Sequence, residues 1–357
     1  MKIFAFYLPQ FHEIPENNEW WGQGFTEWVN VKNATPLFTS HEQPRTPLND
    51  NYYDLDNATV MESQAEMAKK YGVDGFCFYH YWFGGKQLLQ KPLLGLLENK
   101  NVNIEYCLSW ANEPWARTWD GRDKDVLMPQ NYGEQKDWES HFNYLVQFFN
   151  DHRYTKVDGK PMLLIYKSKD IPNFDKMVDC WNALAIQHGF VDGLHIVETM
   201  GGKQSQPTSS KSAAVVEFEP SLSLGKNGDK FFWLVNKIKM LLNKGLYRFK
   251  FNSVAKISVS RDVRYGEKIR YLGCFPGWDN TPRKGAKGVV FDSSTPQNFE
   301  SYLSSQINKS PEGSIIFINA WNEWAEGAYL EPDTVNGYSY LEAVMNAKSK
   351  TLSNNRI

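Results

Sequence analysis

The chain has 357 residues, with 39 Lys/Arg against 41 Asp/Glu and a net charge of −2. That balance excludes a broad electrostatic surface for nucleic acid or acidic partners. The length fits one α/β barrel, a fold that often runs to ~250 residues or more.

In chain order, short apolar runs alternate with longer helical patterns. The strand candidates are KIFAFYLP (2–9), VDGFCFYHYWF (73–83), NIEYCLSW (103–110), PMLLIYK (161–167), LHIVETM (194–200), AAVVEFEP (213–220), YLGCFPGW (271–278) and SIIFINAW (314–321). Helical periodicity falls over 58–72, 87–100, 137–150, 173–189, 295–309 and 339–350. This alternation predicts an α/β fold, a single (β/α)8 TIM barrel over 1–357. A doubly wound nucleotide fold places a Gly-rich phosphate turn after an early strand. Here the first strand runs instead into LPQFHEIPENNEWWGQGFTEW.

Residues 221–270 read as an insertion within the barrel. Within them, 226–270 hold 12 Lys/Arg against 3 Asp/Glu. DKFFWLVNKIKMLLNKG (229–245) reads as an apolar helix studded with lysines. Such a segment is either a βα insertion with a solvated basic face or a docking surface for anionic lipid or a lipid-linked glycan. No apolar run reaches the 18 residues of a transmembrane helix. MKIFAFYLP is too short for a signal h-region. The expectation is a soluble, cytoplasmic protein. Cys77, Cys107, Cys180 and Cys274 show no metal-like spacing, and three of them fall in strand-like segments where a reduced, buried thiol is expected.

Aromatics make up 15% of the residues, including 13 Trp and 18 Tyr. Flat rings suit sugar faces, because they stack on C–H groups while polar edges bond hydroxyls. In a barrel the active site forms at the C-terminal strand ends. Those ends carry Gln10, His12, Trp21 and Glu27 (strand 1); Tyr79, His80, Tyr81 and Trp82 (strand 2); Trp110, Asn112, Glu113, Trp115 and Arg117 (strand 3); and Tyr166 (strand 4). Glu198 follows strand 5, and Glu217 and Glu219 follow strand 6. Trp278, Asp279, Asn280 and Arg283 follow strand 7, and WNEWAEG (321–327) follows strand 8. The candidate substrate-binding set is Tyr79, His80, Tyr81, Trp82, Trp110, Asn112, Glu113, Trp115, Tyr166, Trp278, Asp279, Asn322 and Trp324. His80 reads equally as a hydroxyl-binding group or as a satisfied rim histidine. Glu113 reads as a rival carboxylate or as a salt-bridge partner of Arg117.

Breaking a glycosidic bond usually takes two carboxyl groups, one to protonate the leaving oxygen and one to support the other side. Glu323 and Glu326 are the candidate catalytic pair. Three apart on an extended strand, they would point to opposite faces. A helical turn after Trp321 puts them on one side, and Gly327 permits such a turn. No cofactor and no metal are expected, since no His/Cys/carboxylate cluster has ligand spacing.

At these residues the chain resembles a known family. FYLPQFHEIPENNEWWGQGFTEW, YGVDGFCFYHYWF, CLSWANEPWARTWDGRDKDVLMPQ, WDNTPR and INAWNEWAEGAYLEPD are similar to the WbsX-like proteins, described as glycosyltransferases or lipopolysaccharide-biosynthesis proteins of bacterial polysaccharide clusters. The likeness spans nearly the whole chain except the basic segment. That family resembles glycoside hydrolase family 99, endo-α-mannan-cleaving (β/α)8 barrels acting with retention. Glu323, Trp324, Glu326 and Gly327 match its E-W-x-E-G motif. The resemblance implies that Glu326 is the general acid/base. It implies that Glu323 assists the sugar 2-hydroxyl in attacking its own anomeric carbon, through a 1,2-anhydro intermediate. The hydrolases have His between the glutamates, and this chain has Ala325, which weakens the implied mannose specificity.

Three functions fit these residues. The first is a retaining glycosidase or transglycosidase on α-linked oligosaccharides or polysaccharides. The second is a glycosyltransferase of O-antigen or surface-polysaccharide assembly, for which Asp54–Asp56 and Asp123–Asp125 supply unspecific D-x-D triplets. The third is a non-catalytic glycan-binding barrel.

Overall fold

The computed structural model describes residues 1–117, 122–225, 234 and 246–354. Among them, nine parallel segments form one sheet: β1 (Lys2–Tyr7), β2 (Gly75–Phe83), β3 (Glu105–Trp110), β4 (Lys160–Ile165), β5 (His195–Met200), β6 (Ala214–Glu217), β7 (Ile269–Tyr271), β8 (Gly273–Cys274) and β9 (Ile315–Ile318). β1 pairs with both β2 and β9. The order then runs β2–β3–β4–β5–β6–β7, while β8 pairs with β9. Only Leu272 separates β7 from β8, and its carbonyl accepts the Phe317 amide at 3.0 Å. The two segments are one stave, so the ring closes as an eight-stave (β/α)8 barrel, as the alternation predicts.

Each expected helix outside the basic segment forms. They are α1 (Ala58–Lys70), α2 (Lys91–Glu98), α3 (Gln135–Phe149), α4 (Phe174–Gln187), α6 (Pro296–Lys309) and α7 (Ser339–Asn354). Their starts follow from local chemistry. The Asn57 side chain accepts the Thr59 amide, Thr295 Oγ1 accepts the Asn298 amide, and Glu134 and Asp137 close a reciprocal capping box. The short α5 (Phe251–Ser260), not expected from the sequence, follows a strand at Tyr247–Lys250 that pairs with Val289–Asp292. The expected helix at 229–245 lies outside the described residues, apart from Leu234.

The strand interiors are buried on both faces, as a parallel sheet covered by helices requires. Phe4, Phe6, Phe317 and Phe218 meet inside the barrel, with ring centroids 5.1–5.9 Å apart. Each such ring is worth about 1.5–3 kcal/mol of burial. This aromatic plug fills the barrel and leaves the strand C-termini as the floor of a cleft. No helix among the described residues is long and apolar enough to cross a membrane. Cys77, Cys107 and Cys274 are buried free thiols, and Cys180 is half-buried.

Candidate active site

A cleft of about 1540 Å³ opens at the C-terminal strand ends, and every stave contributes to its wall. Its lining includes Gln10 and Asn17 after β1, Tyr79 and Tyr81 on β2, Glu113 and Trp115 after β3, and Tyr166 after β4. Lys203 follows β5, Phe218 and Ser221 follow β6, Trp278, Asn280 and Arg283 follow β8, and Glu323 and Glu326 follow β9.

The two glutamates reach the cleft from one turn. Asn322–Glu323 pairs with Ala328–Tyr329, and a single 3₁₀ turn spans Trp324–Glu326. Gly327 closes it at φ +60°. A Cβ there would lie 2.9 Å from the backbone nitrogen and Cβ of Asp279, so only glycine fits. The Asp279 amide in turn donates to the Glu326 carbonyl at 2.6 Å.

Arg283 joins the pair. Its Nη2 donates to Glu323 Oε2 at 3.0 Å and its Nη1 to Glu326 Oε1 at 2.6 Å. Its Nε donates to Glu27 Oε1 at 2.8 Å. One guanidinium therefore serves three carboxylates, a geometry its planar fork allows and an ammonium would not. Burial pushes the Glu323 carboxyl up to about 8, against the opposing pull of Arg283, while Glu326 and Glu27 add to the rise. Tyr79, Tyr81 and Tyr166 stand around the pair. Burial, and then the nearby carboxylates, raise their hydroxyls well above 10, so they remain proton donors.

Of the candidate substrate-binding residues, Tyr79, Tyr81, Glu113, Trp115, Tyr166 and Trp278 line the cleft. The other seven stand behind its wall. His80 and Trp82 alternate with Tyr79 and Tyr81 along β2 and so point outward. His80 Nε2 lies 2.8 Å from His141 Nε2, Trp82 stacks on the His141 ring at 4.6 Å, and Trp110 packs there too. Burial lowers His80 to about 3, so it stays neutral.

Asn112 ties β3 to β4, accepting the Lys167 amide at 2.8 Å and donating to its carbonyl at 2.9 Å. Asn322 does the same for Leu8 at 2.7 and 3.0 Å. Asp279 accepts from His41 (2.8 Å), Gln43 (2.7 Å) and Thr281 (2.6 Å). Burial pushes its carboxyl up, but those bonds and Arg45 hold it at about 2. Trp324 is buried, stacked on Tyr329 at 3.8 Å.

Glu113, read either as a rival carboxylate or as a partner of Arg117, lines the cleft and faces Lys167 at 3.7 Å. Glu198 is satisfied by Ser168 and the Thr208 amide, and Glu217 and Glu219 by Arg261. Asp56 pairs with Lys91 at 2.8 Å, outside the cleft lining, and the Asp123 side chain lies outside the described residues. Among the described residues no group of three His, Cys, Asp or Glu is arranged to hold a metal. Ala325 is fully buried and puts no side chain into the cleft.

The fold is a (β/α)8 barrel whose C-terminal face carries paired carboxylates on an aromatic floor. The family model described as Glycosyltransferase WbsX matches residues 3–344, and the chain belongs to that family. Proteins named WxcX from two strains of Xanthomonas campestris pv. campestris are 36% identical over 355 residues, 98% of this chain. That match covers 50% of WxcX, so the chain spans about half the length of the curated relatives it matches. The GH99 endo-α-mannosidase from Bacteroides thetaiotaomicron is similar in fold, with a TM-score of 0.62 over 99% of this chain and 98% of its own, at 14% identity. A glycoside hydrolase-like protein has a TM-score of 0.60 at 14% identity, over 97% of this chain and 93% of its own.

Proposed function

We propose that the protein is a retaining, glycoside hydrolase-like enzyme that cleaves or transfers α-linked glycans of mannose type. The observation that carries this reading is the delivery of Glu323 and Glu326 from one turn to one cleft floor, held by a single guanidinium. Glu326 gives its proton to the glycosidic oxygen as the bond from that oxygen to the anomeric carbon breaks. Glu323 takes the proton of the 2-hydroxyl, whose oxygen forms the new bond to the anomeric carbon. Glu326, now a carboxylate, then takes a proton from water. The water oxygen bonds the anomeric carbon, the 1,2-anhydro ring opens, and Glu323 returns its proton to O2. Two displacements at one carbon leave its configuration retained.

A buried carboxyl at about 8 is, once ionised, a stronger base for a hydroxyl than an ordinary glutamate. The Tyr79, Tyr81 and Tyr166 hydroxyls are donors for sugar oxygens, and the Trp115 and Trp278 rings are platforms for sugar faces.

The family description favours a second reading, glycosyl transfer in bacterial surface-polysaccharide assembly. One experiment separates the two. Pure protein is incubated with α-mannan fragments and bacterial surface glycans without any sugar nucleotide. Cleavage that disappears in Glu326→Ala supports the hydrolase reading. Activity only with a sugar nucleotide and Mg²⁺ or Mn²⁺ supports transfer.

A further inference from the structure

Glu331 lies five residues beyond Glu326, is 7% exposed and is not part of the cleft lining. Its carboxylate accepts four hydrogen bonds. Oε1 accepts from Gln64 Nε2 at 2.7 Å and Trp321 Nε1 at 3.1 Å. Oε2 accepts from Trp324 Nε1 at 2.7 Å and the Tyr53 hydroxyl at 2.9 Å.

Two of those donors are the indoles on either side of Asn322–Glu323. The other two belong to the first βα unit: Tyr53 in the loop before α1, and Gln64 on α1. Gln64 Oε1 also accepts from the Tyr7 hydroxyl at the end of β1, at 2.6 Å. Among the described residues no cation pairs with Glu331. A buried carboxylate without a cation costs several kcal/mol unless donors satisfy it. Apolar side chains would fill the same volume at lower cost. What a carboxylate supplies is four acceptor positions in one plane, and a glutamine cannot, because its amide nitrogen would face an indole N–H.

We propose that Glu331 is a positioning residue: it fixes the rotation of Trp321 and Trp324, and so the aim of Glu323 between them at the cleft. This inference rests on the reading that Glu323 and Glu326 carry the reaction.

The test uses Glu331→Gln and the milder Tyr53→Phe, which keeps the carboxylate and removes one donor. In protein labelled with ¹⁵N at the indoles, Trp321→Phe and Trp324→Phe assign the two resonances. Both resonances are expected to move in Glu331→Gln, while the other indoles stay in place. In crystal structures of wild type and variant, the Glu323 carboxyl is expected to leave its contact with Arg283. On a glycan the protein cleaves, kcat is expected to fall roughly tenfold or more with KM within about twofold. Tyr53→Phe is expected to shift the same quantities less. Unmoved indole resonances, or a Glu323 still seated on Arg283, overturn the proposal. A lower melting temperature with unchanged kcat overturns it as well. The spectra and structures need no turnover. A protein without glycan cleavage therefore sinks the hydrolase reading while these two measurements still decide the role of Glu331.

Discussion

Arg283 Nη2 meets Glu323 Oε2 at 3.0 Å inside a site where both side chains are about nine-tenths buried. The contact matters because the same guanidinium also holds Glu326 and Glu27. Removing the cation would leave three carboxyl groups facing one another out of water without their shared donor. Arg283→Met is therefore expected to lose roughly 3–5 kcal/mol of unfolding free energy in denaturant titrations. Adding Glu27→Gln should recover part of that loss, since one uncompensated charge goes with it. Arg283→Lys keeps the charge but not the fork, and kcat/KM should fall about 100-fold. An Arg283→Lys enzyme with full activity and stability would show the bridge to be incidental.

The pH profile has a definite sign. Glu323 is held at about 8 against an ordinary 4.5, so the free enzyme carries it protonated at neutrality. As the base for the 2-hydroxyl it must be ionised. Glu326, the acid, must hold its proton at the same time, so the profile of kcat/KM should be bell-shaped, with a limb near 8 that Glu323→Gln removes together with most of the activity. A profile with no limb near 8 would contradict the shift.

The same shift acts on stability. A carboxyl raised on folding binds its proton more tightly in the native state. Its contribution is fully present below 4.5 and is lost as pH rises through about 8. Glu323→Gln should shrink the drop in melting temperature between pH 5 and pH 8, read by calorimetry at both. An unchanged drop would place the proton elsewhere.

Neighbours on β2 should behave oppositely. Tyr79 and Tyr81 line the cleft, while His80 and Trp82 pack against α3. Tyr81→Phe should reduce kcat/KM with little change in stability. Trp82→Ala should cost roughly 3–5 kcal/mol of stability, from the cavity it leaves. A glycan-binding defect in Trp82→Ala that exceeds its stability loss would contradict this division.

Much of the architecture was legible because βα alternation and capping residues are local signals. The eight staves and the six expected helices outside the basic segment form where apolar runs place them, while the short helices Pro15–Trp21, Glu27–Lys32 and Thr281–Lys284 were not expected. The turn that delivers Glu323 and Glu326 was legible through Gly327. What escaped was direction and pairing. Tyr79–Trp82 reads as one polar-aromatic surface, but strand alternation sends only Tyr79 and Tyr81 inward. Asn112, Asp279 and Asn322 read as sugar-binding groups, yet they hold strand ends together. Asn322 and its partner Leu8 are 314 positions apart, a separation no periodicity reveals. Arg283 was visible on the rim, but its role appears only when Glu27 and the β9 turn fold around it. Ala325, where the chain departs from the hydrolase pattern, is fully buried. Ala325→His would then overpack the turn by roughly 1–3 kcal/mol before it reached any sugar.

Acid/base cleavage through O2 by Glu326 and Glu323 fixes which anomer leaves the site. The most direct measurement follows the first anomeric proton released from an α-linked oligosaccharide by ¹H NMR, with no sugar nucleotide present. The α anomer is expected to appear first and to mutarotate later, with no release by Glu326→Ala. First appearance of the β anomer, or no release until a sugar nucleotide is added, would contradict it.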